Sequence, residues 1–221
     1  MQLTSILNID SSKSLLNWAI GLSLFTIAYN MVEGIVSVYF GYQDDTLALF
    51  GFGLDSFVEV ISALGITHMI FRLRNNESVE ETDRFEMVAL RITGSAFYLL
   101  TLGLAFGAVY SVIYGIHPRT TLVGIIVSSI SILMMYGLYR IKVEVGEKLD
   151  SAPIISDANC TLSCFYLSFI LLGSSIMYEY GGLGYIDALG SIGIAAFAFK
   201  EGREAFEKAR KRSLTCGCNS E

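Results

Sequence analysis

Long apolar stretches, each interrupted by only a few polar residues, alternate with short polar links along this chain. The apolar runs extend from about Leu15 to Phe40, Thr46 to Phe71, Phe85 to Tyr114, Thr120 to Ile141, Pro153 to Tyr178 and Leu183 to Phe199. A hydrocarbon core of ~30 Å asks for about 20 residues at 1.5 Å each, a length the first five exceed and the sixth approaches. The turns at Gln43-Asp44-Asp45, at Gly115-Ile116-His117-Pro118-Arg119 and at Glu179-Tyr180-Gly181-Gly182 are short. Arg72 to Arg84 and Lys142 to Ser151 form longer charged links. The pattern predicts an all-α polytopic membrane protein with six transmembrane helices.

Charge orients the helices. Arg72, Arg74, Arg84, Arg140, Lys142 and Lys148 fall on one side, together with the cluster from Lys200 to Arg212, and only Arg119 falls opposite. The excess of basic residues on the cytoplasmic side of membrane proteins then places both termini and both long links in the cytoplasm. The first sixteen residues include Asn8, Asp10, Ser11, Ser12 and Lys13 and show no secretory leader pattern. Residues 1–14 read as a cytosolic stretch, 15–200 as a six-helix transport domain, and 201–221 as a basic cytosolic tail. The tail opens as a short basic helix, Glu201 to Leu214, leaving the membrane.

Composition agrees. Of 221 residues, 53% are hydrophobic and 16% charged, against about 25% charged in ordinary soluble domains. The formal net charge of −6 is modest, and no segment points to nucleic acid. The partners expected are a lipid bilayer and a metal ion. The four cysteines are Cys160, Cys164, Cys216 and Cys218. Two sit inside an apolar run and two in the tail, which argues against a disulfide scaffold.

The informative polar residues inside the runs come as two four-residue frames. Asp55 and Glu59 lie one turn apart in the second run, and Cys160 and Cys164 one turn apart in the fifth. That spacing puts each pair on one helix face. Carboxylates deep in a membrane segment are expensive and mark functional sites. The two runs point in opposite directions. Counted from their ends, Asp55 lies about 15 Å and Glu59 about 21 Å below the outer edge. Cys164 and Cys160 fall about 14 Å and 20 Å from that edge across a ~30 Å core. Asp55 is thus expected level with Cys164, and Glu59 with Cys160.

Two carboxylates and two thiols at one depth suit a tetrahedral soft ion. Zinc is the expected substrate, with cadmium or another soft metal as its alternative. Fully ionised, these four groups carry four negative charges, untenable in low dielectric without a cation, so protons are the expected counter-ion. The frames also occupy corresponding places in two three-span halves, an inverted plan common among transporters.

This pattern resembles the cation diffusion facilitator family, with six spans and ligand pairs four apart on spans two and five. Asp157-Ala158-Asn159 precedes Cys160 and Cys164 as an Asp-Ala precedes the family's usual His and Asp. Asp55 and Glu59 take the span-two places. Asp83-Arg84-Phe85-Glu86, Asn30 and Asp187 also sit in family-like positions. The resemblance covers roughly Leu15 to Phe199 and is nearest to the short members that lack a cytoplasmic C-terminal domain. It implies a secondary active transporter rather than an enzyme, a homodimer, and metal efflux across the plasma (inner) membrane.

Further residues are candidates of lesser weight. Asp157 reads as a ligand near the inner mouth or as a helix cap. Cys216 and Cys218 read as thiols that gather metal there or as incidental residues. Glu33 is a buried acid that assists proton transfer or hydrogen-bonds within the bundle. Arg91 snorkels inward or pairs with Glu86. Two other classes stay open. One is a membrane thiol–disulfide oxidoreductase using Cys160 and Cys164; the other is a non-transporting regulatory protein with a metal site.

Overall fold

The computed structural model describes residues 12–75, 84–182 and 184–211. Six helices follow one another: α1 (Ser12–Gln43), α2 (Leu47–Arg74), α3 (Arg84–Tyr114), α4 (Leu122–Lys148), α5 (Ala152–Gly181) and α6 (Ile186–Lys211). No strand occurs among the described residues. Helices α1 to α5 are long and apolar enough to cross a membrane, and the chain is an integral membrane protein. α6 falls short by that measure, because its apolar part ends at Phe199 and Lys200, Glu201, Arg203 and Glu204 follow directly.

Two helices differ in extent from the sequence reading. α4 continues to Lys148, so the charged link expected from Lys142 onward is largely helical. The stretch beginning at Glu201 is the continuation of α6, and its Gly202, Ala205 and Ala209 are buried. Ala209 packs with Met69 and Leu90.

The closest pairings are α1 with α2, α3 with α6 and α4 with α5. One buried cluster joins α2, α3, α5 and α6 through Phe52, Phe97, Leu104, Leu171 and Ile194. A second joins α1, α2, α4 and α5 through Ile20, Ile70, Met135, Val145 and Ile154. α2 and α5 belong to both clusters and run through the centre of the bundle. Outward, α3 exposes Leu99, Leu102, Phe106, Val109 and Ile113, an apolar stripe at three- and four-residue spacing. An outer face this apolar fits lipid rather than water.

Acids tie the helix ends together. At the end away from the basic cluster, Asp187 of α6 accepts from the backbone N–H of Leu47 at 2.8 Å, the first residue of α2. Glu179 of α5 likewise accepts from the N–H of Thr121 at 2.8 Å, at the start of α4. A helix N-terminus leaves such donors unsatisfied, and a carboxylate there also meets the positive end of the helix dipole. At the basic end, Arg72 of α2 donates to both oxygens of Glu86 of α3, each at 3.0 Å, and His68 lies 3.3 Å away. Arg72 and His68 of α2 are thus partners of Glu86.

Small residues let α1 and α2 approach. A Cβ at Gly41 would sit 2.5 Å from the backbone N and 2.7 Å from the Cα of Phe50, so no rotamer change relieves the clash. Gly103 of α3 has nothing within 4 Å of that position. Gly41→Ala is expected to destabilise the protein by about 1–3 kcal/mol through overpacking. Gly103→Ala, gaining only helix propensity, should be neutral or stabilising by up to about 1 kcal/mol. Thermal unfolding of both variants in detergent reads the contrast.

Candidate metal centre

The two ligand frames meet where α2 crosses α5. The thiol of Cys164 donates to Glu59 Oε2, and Asn30 Nδ2 of α1 donates to the same oxygen at 3.1 Å. The contact is one turn out of the expected register, since Glu59 rather than Asp55 faces Cys164. Even-depth counting along straight, parallel spans ignores the tilt at which packed helices cross. Cys160, one turn along α5, lines the same small cavity as Glu59 and Cys164.

That cavity has a volume of about 30 Å³, room for one or two waters or a bare ion. Thr26 and Asn30 of α1, Ser62 of α2 and Thr161 of α5 give it further polar walls. Its apolar walls come from Ala63, Ile66 and Phe97. Both cysteines are free thiols, Cys164 buried and Cys160 partly so.

Asp55 sits one turn from Glu59 and is 2% exposed, and its Oδ1 has no hydrogen-bond partner. It does not line the cavity. Among the described residues no three His, Cys, Asp or Glu side chains stand together as a set that could hold a metal ion. The structure thus brings Glu59, Cys160 and Cys164 to one cavity and leaves Asp55 beside it.

Asp157 also reaches the cavity, but its carboxylate is already engaged. Lys142 Nζ lies 3.0 Å from Oδ2, and Ser23 Oγ donates to the same atom at 3.0 Å. Lys142 donates as well to Thr161 Oγ1 at 2.9 Å. This ammonium is 1% exposed, and three helices, α1, α4 and α5, converge on it and its partners. Glu33 of α1 accepts from Tyr29 OH at 3.0 Å and from Ser56 Oγ of α2 at 3.1 Å, next to Asp55 in sequence. Cys216 and Cys218 lie outside the described residues.

Two cavity-side residues escaped the sequence reading. Lys142 looked like a link residue, yet Met135, Leu138 and Val145 bury one stripe of α4, and Lys142 falls on it by the same period. Glu201 looked like the first residue of the tail. It continues the buried stripe Ile194, Ala198 and Ala205 of α6, lines the cavity, and accepts from Ser163 Oγ at 2.8 Å.

Apolar helices packed around a small cavity with acids and thiols in its wall make up an integral membrane protein. The chain belongs to the cation efflux transmembrane domain family, whose model matches residues 20–212. It is 26% identical over 182 residues to an uncharacterized transporter of Methanocaldococcus jannaschii, covering 80% of this chain and 63% of that protein. It is 26% identical over 177 residues to Transmembrane protein 163 of Xenopus laevis, covering 80% of this chain and 61% of that one. The chain therefore spans a little over three fifths of the length of these relatives.

Breaking one side of a buried ion pair strands the other charge, which typically costs 3–5 kcal/mol, whereas removing both is far milder. Lys142→Met is therefore expected to lower stability strongly, and Lys142→Met with Asp157→Asn to recover most of the loss. A double-mutant cycle of unfolding midpoints in detergent measures the coupling.

Proposed function

We propose that the chain exports a divalent transition-metal or heavy-metal cation of the zinc or cadmium kind from the cytoplasm in exchange for protons. Asp55, Glu59, Cys160 and Cys164 are its ligands. The observation that carries this reading is the direct contact of Glu59 with Cys164 across α2 and α5, at the wall of a small cavity. A carboxylate and a thiol brought together from two helices inside an apolar bundle are a costly arrangement without a cation to bind. Sulfur in the ligand set favours zinc and cadmium over harder ions.

The empty site avoids a fourfold negative charge by keeping protons, as the hydrogen bond from the Cys164 thiol to Glu59 illustrates. An arriving cation displaces them, and protons displace it in turn. Gathering Asp55 and Cys160 around the ion requires a shift of α2 against α5. A two-state rocking of the bundle supplies such a shift and exposes the site to each side alternately. On this reading α6 completes six spans, with both termini cytoplasmic. A homodimer in the plasma (inner) membrane follows from the family resemblance. Asp157 joins the ion only in a state where Lys142 releases it, and Cys216 and Cys218 gather metal near the inner mouth.

Replacing Cys160 and Cys164 together by Ser is expected to reduce zinc and cadmium transport at least about tenfold while changing manganese transport much less, since hard ions gain little from thiolates. Metal flux into proteoliposomes across the three ions checks it. Equal loss for all three, or none, would remove thiol ligation from the reading.

A further inference from the structure

The cavity has a carboxylate at its basic end that the ligand set does not include. Glu201 sits where α6 passes from its apolar half to its charged half, and it lines the same cavity as Glu59, Cys160 and Cys164. Its neighbours on the helix turn elsewhere: Lys200 is exposed and lies 3.6 Å from Glu204, and Arg203 pairs with Glu207 at 2.9 Å. Glu201 itself is held by the neutral hydroxyl of Ser163.

Two independent features say what this cavity lacks. Asn30 is 1% exposed and lines the cavity, and its Oδ1 is buried with no hydrogen-bond partner. Its Nδ2 donates to Glu59 Oε2, which leaves the carbonyl oxygen as the atom without a partner. A buried carbonyl oxygen left over in this way calls for a donor or a cation. The other acid at this end, Asp157, already has a cation in Lys142, 3.0 Å away. Glu201 has no ammonium at hydrogen-bond distance among its described contacts, and the charges of Lys208 and Lys200 act on it only from further off.

We infer that Glu201 is a further cation-binding residue, the carboxylate that receives a divalent metal ion from the basic end and passes it to Glu59 and the thiols. The inference rests on the metal-transport reading and extends it by a residue outside both four-residue frames. Asp157 is barred from this role while Lys142 holds it. Glu201 can take it by exchanging one hydrogen bond to a hydroxyl for a bond to the ion. Asn30 lines the same cavity as both stations.

The test uses the full chain in proteoliposomes with cadmium as the probe, beside the ultraviolet absorbance of thiolate–cadmium bonds in detergent. Glu201→Gln keeps an acceptor for Ser163 and removes the charge. It is expected to raise the cadmium concentration for half-maximal flux about tenfold, as loss of one charged contact does, while the saturated thiolate–cadmium absorbance persists. Glu201→Asp should restore most of the affinity. Ser163→Ala, which removes the hydrogen bond and keeps the charge, should leave half-saturation within about threefold of the parent. A parent-like Glu201→Gln overturns the inference, and so does a Ser163→Ala shift as large as that of Glu201→Gln, which would make Glu201 a docking residue for α6. If Glu59→Gln and the double cysteine variant also transport cadmium like the parent, and no thiolate–cadmium absorbance forms, the metal site itself fails. The Glu201 result then falls with it for a separately visible reason.

Discussion

Every buried carboxylate of this bundle has to find a partner on another helix, and that requirement holds the helices in their arrangement. In a membrane interior neither water nor a loose loop is available to satisfy an acid. Glu33 of α1 takes Ser56 of α2. Glu59 of α2 takes Asn30 of α1 and Cys164 of α5. Glu86 of α3 takes Arg72 of α2, Asp157 of α5 takes Lys142 of α4, and Glu201 of α6 takes Ser163 of α5. At the far end Asp187 and Glu179 take the opening N–H groups of α2 and α4. Apolar contact alone could let such helices slide, since side chains and lipid tails are equally apolar. The acids specify register because each has one place where it is satisfied.

The exceptions to that rule are concentrated at one place. Asp55 Oδ1 and Asn30 Oδ1 are both buried without a partner, and both residues flank Glu59, one along α2 and one across from α1. A few hydroxyls share that condition elsewhere, Ser37 and Thr93 among them, but a hydroxyl can rotate to a backbone acceptor within its own helix. A carboxylate or amide oxygen has no such local remedy. Unsatisfied acceptors beside Glu59 are what the proposed cation site would draw on.

The sequence disclosed the helices and the two frames because both rest on simple periods. Length and apolarity defined the runs, and a spacing of four put each pair of candidate ligands on one face. Crossing geometry was not legible in the same way. The pairing of Glu59 with Cys164, in place of Asp55 with Cys164, depends on tilt and on where helices begin, which composition does not encode. Polar residues near the membrane boundary were the other blind spot. Lys142 and Glu201 each follow an apolar run and read naturally as the start of a link or a tail. The burial of Lys142 and the half-buried place of Glu201 become visible only when the stripe Met135, Leu138 and Val145, or Ile194, Ala198 and Ala205, is carried past the apparent end of the run. Asp187 showed itself as a family-like position, and the structure supplies its physical task, the capping of α2.

The same logic separates the acids that hold the bundle from those free to serve a moving ion. Asp157 and Glu86 face cationic side chains carried by the protein itself, so an arriving metal ion would have to displace an ammonium or a guanidinium that cannot diffuse away. A displaced buried charge remains buried, and that penalty exceeds what one more ligand returns. Glu59 accepts hydrogen bonds from neutral donors, an amide and a thiol, and Glu201 from a hydroxyl, with the charges of Lys208 and Lys200 acting on it from beyond hydrogen-bond distance. These groups give up a hydrogen bond without stranding a charge, and the thiol becomes a ligand when it gives up its proton. Static positive charge at Lys142 and Arg72 therefore sorts the acids. Those paired with a fixed cation fasten α2 to α3 and join α5 to α4 and α1, and those paired with neutral groups are the ones the proposed cation route would use.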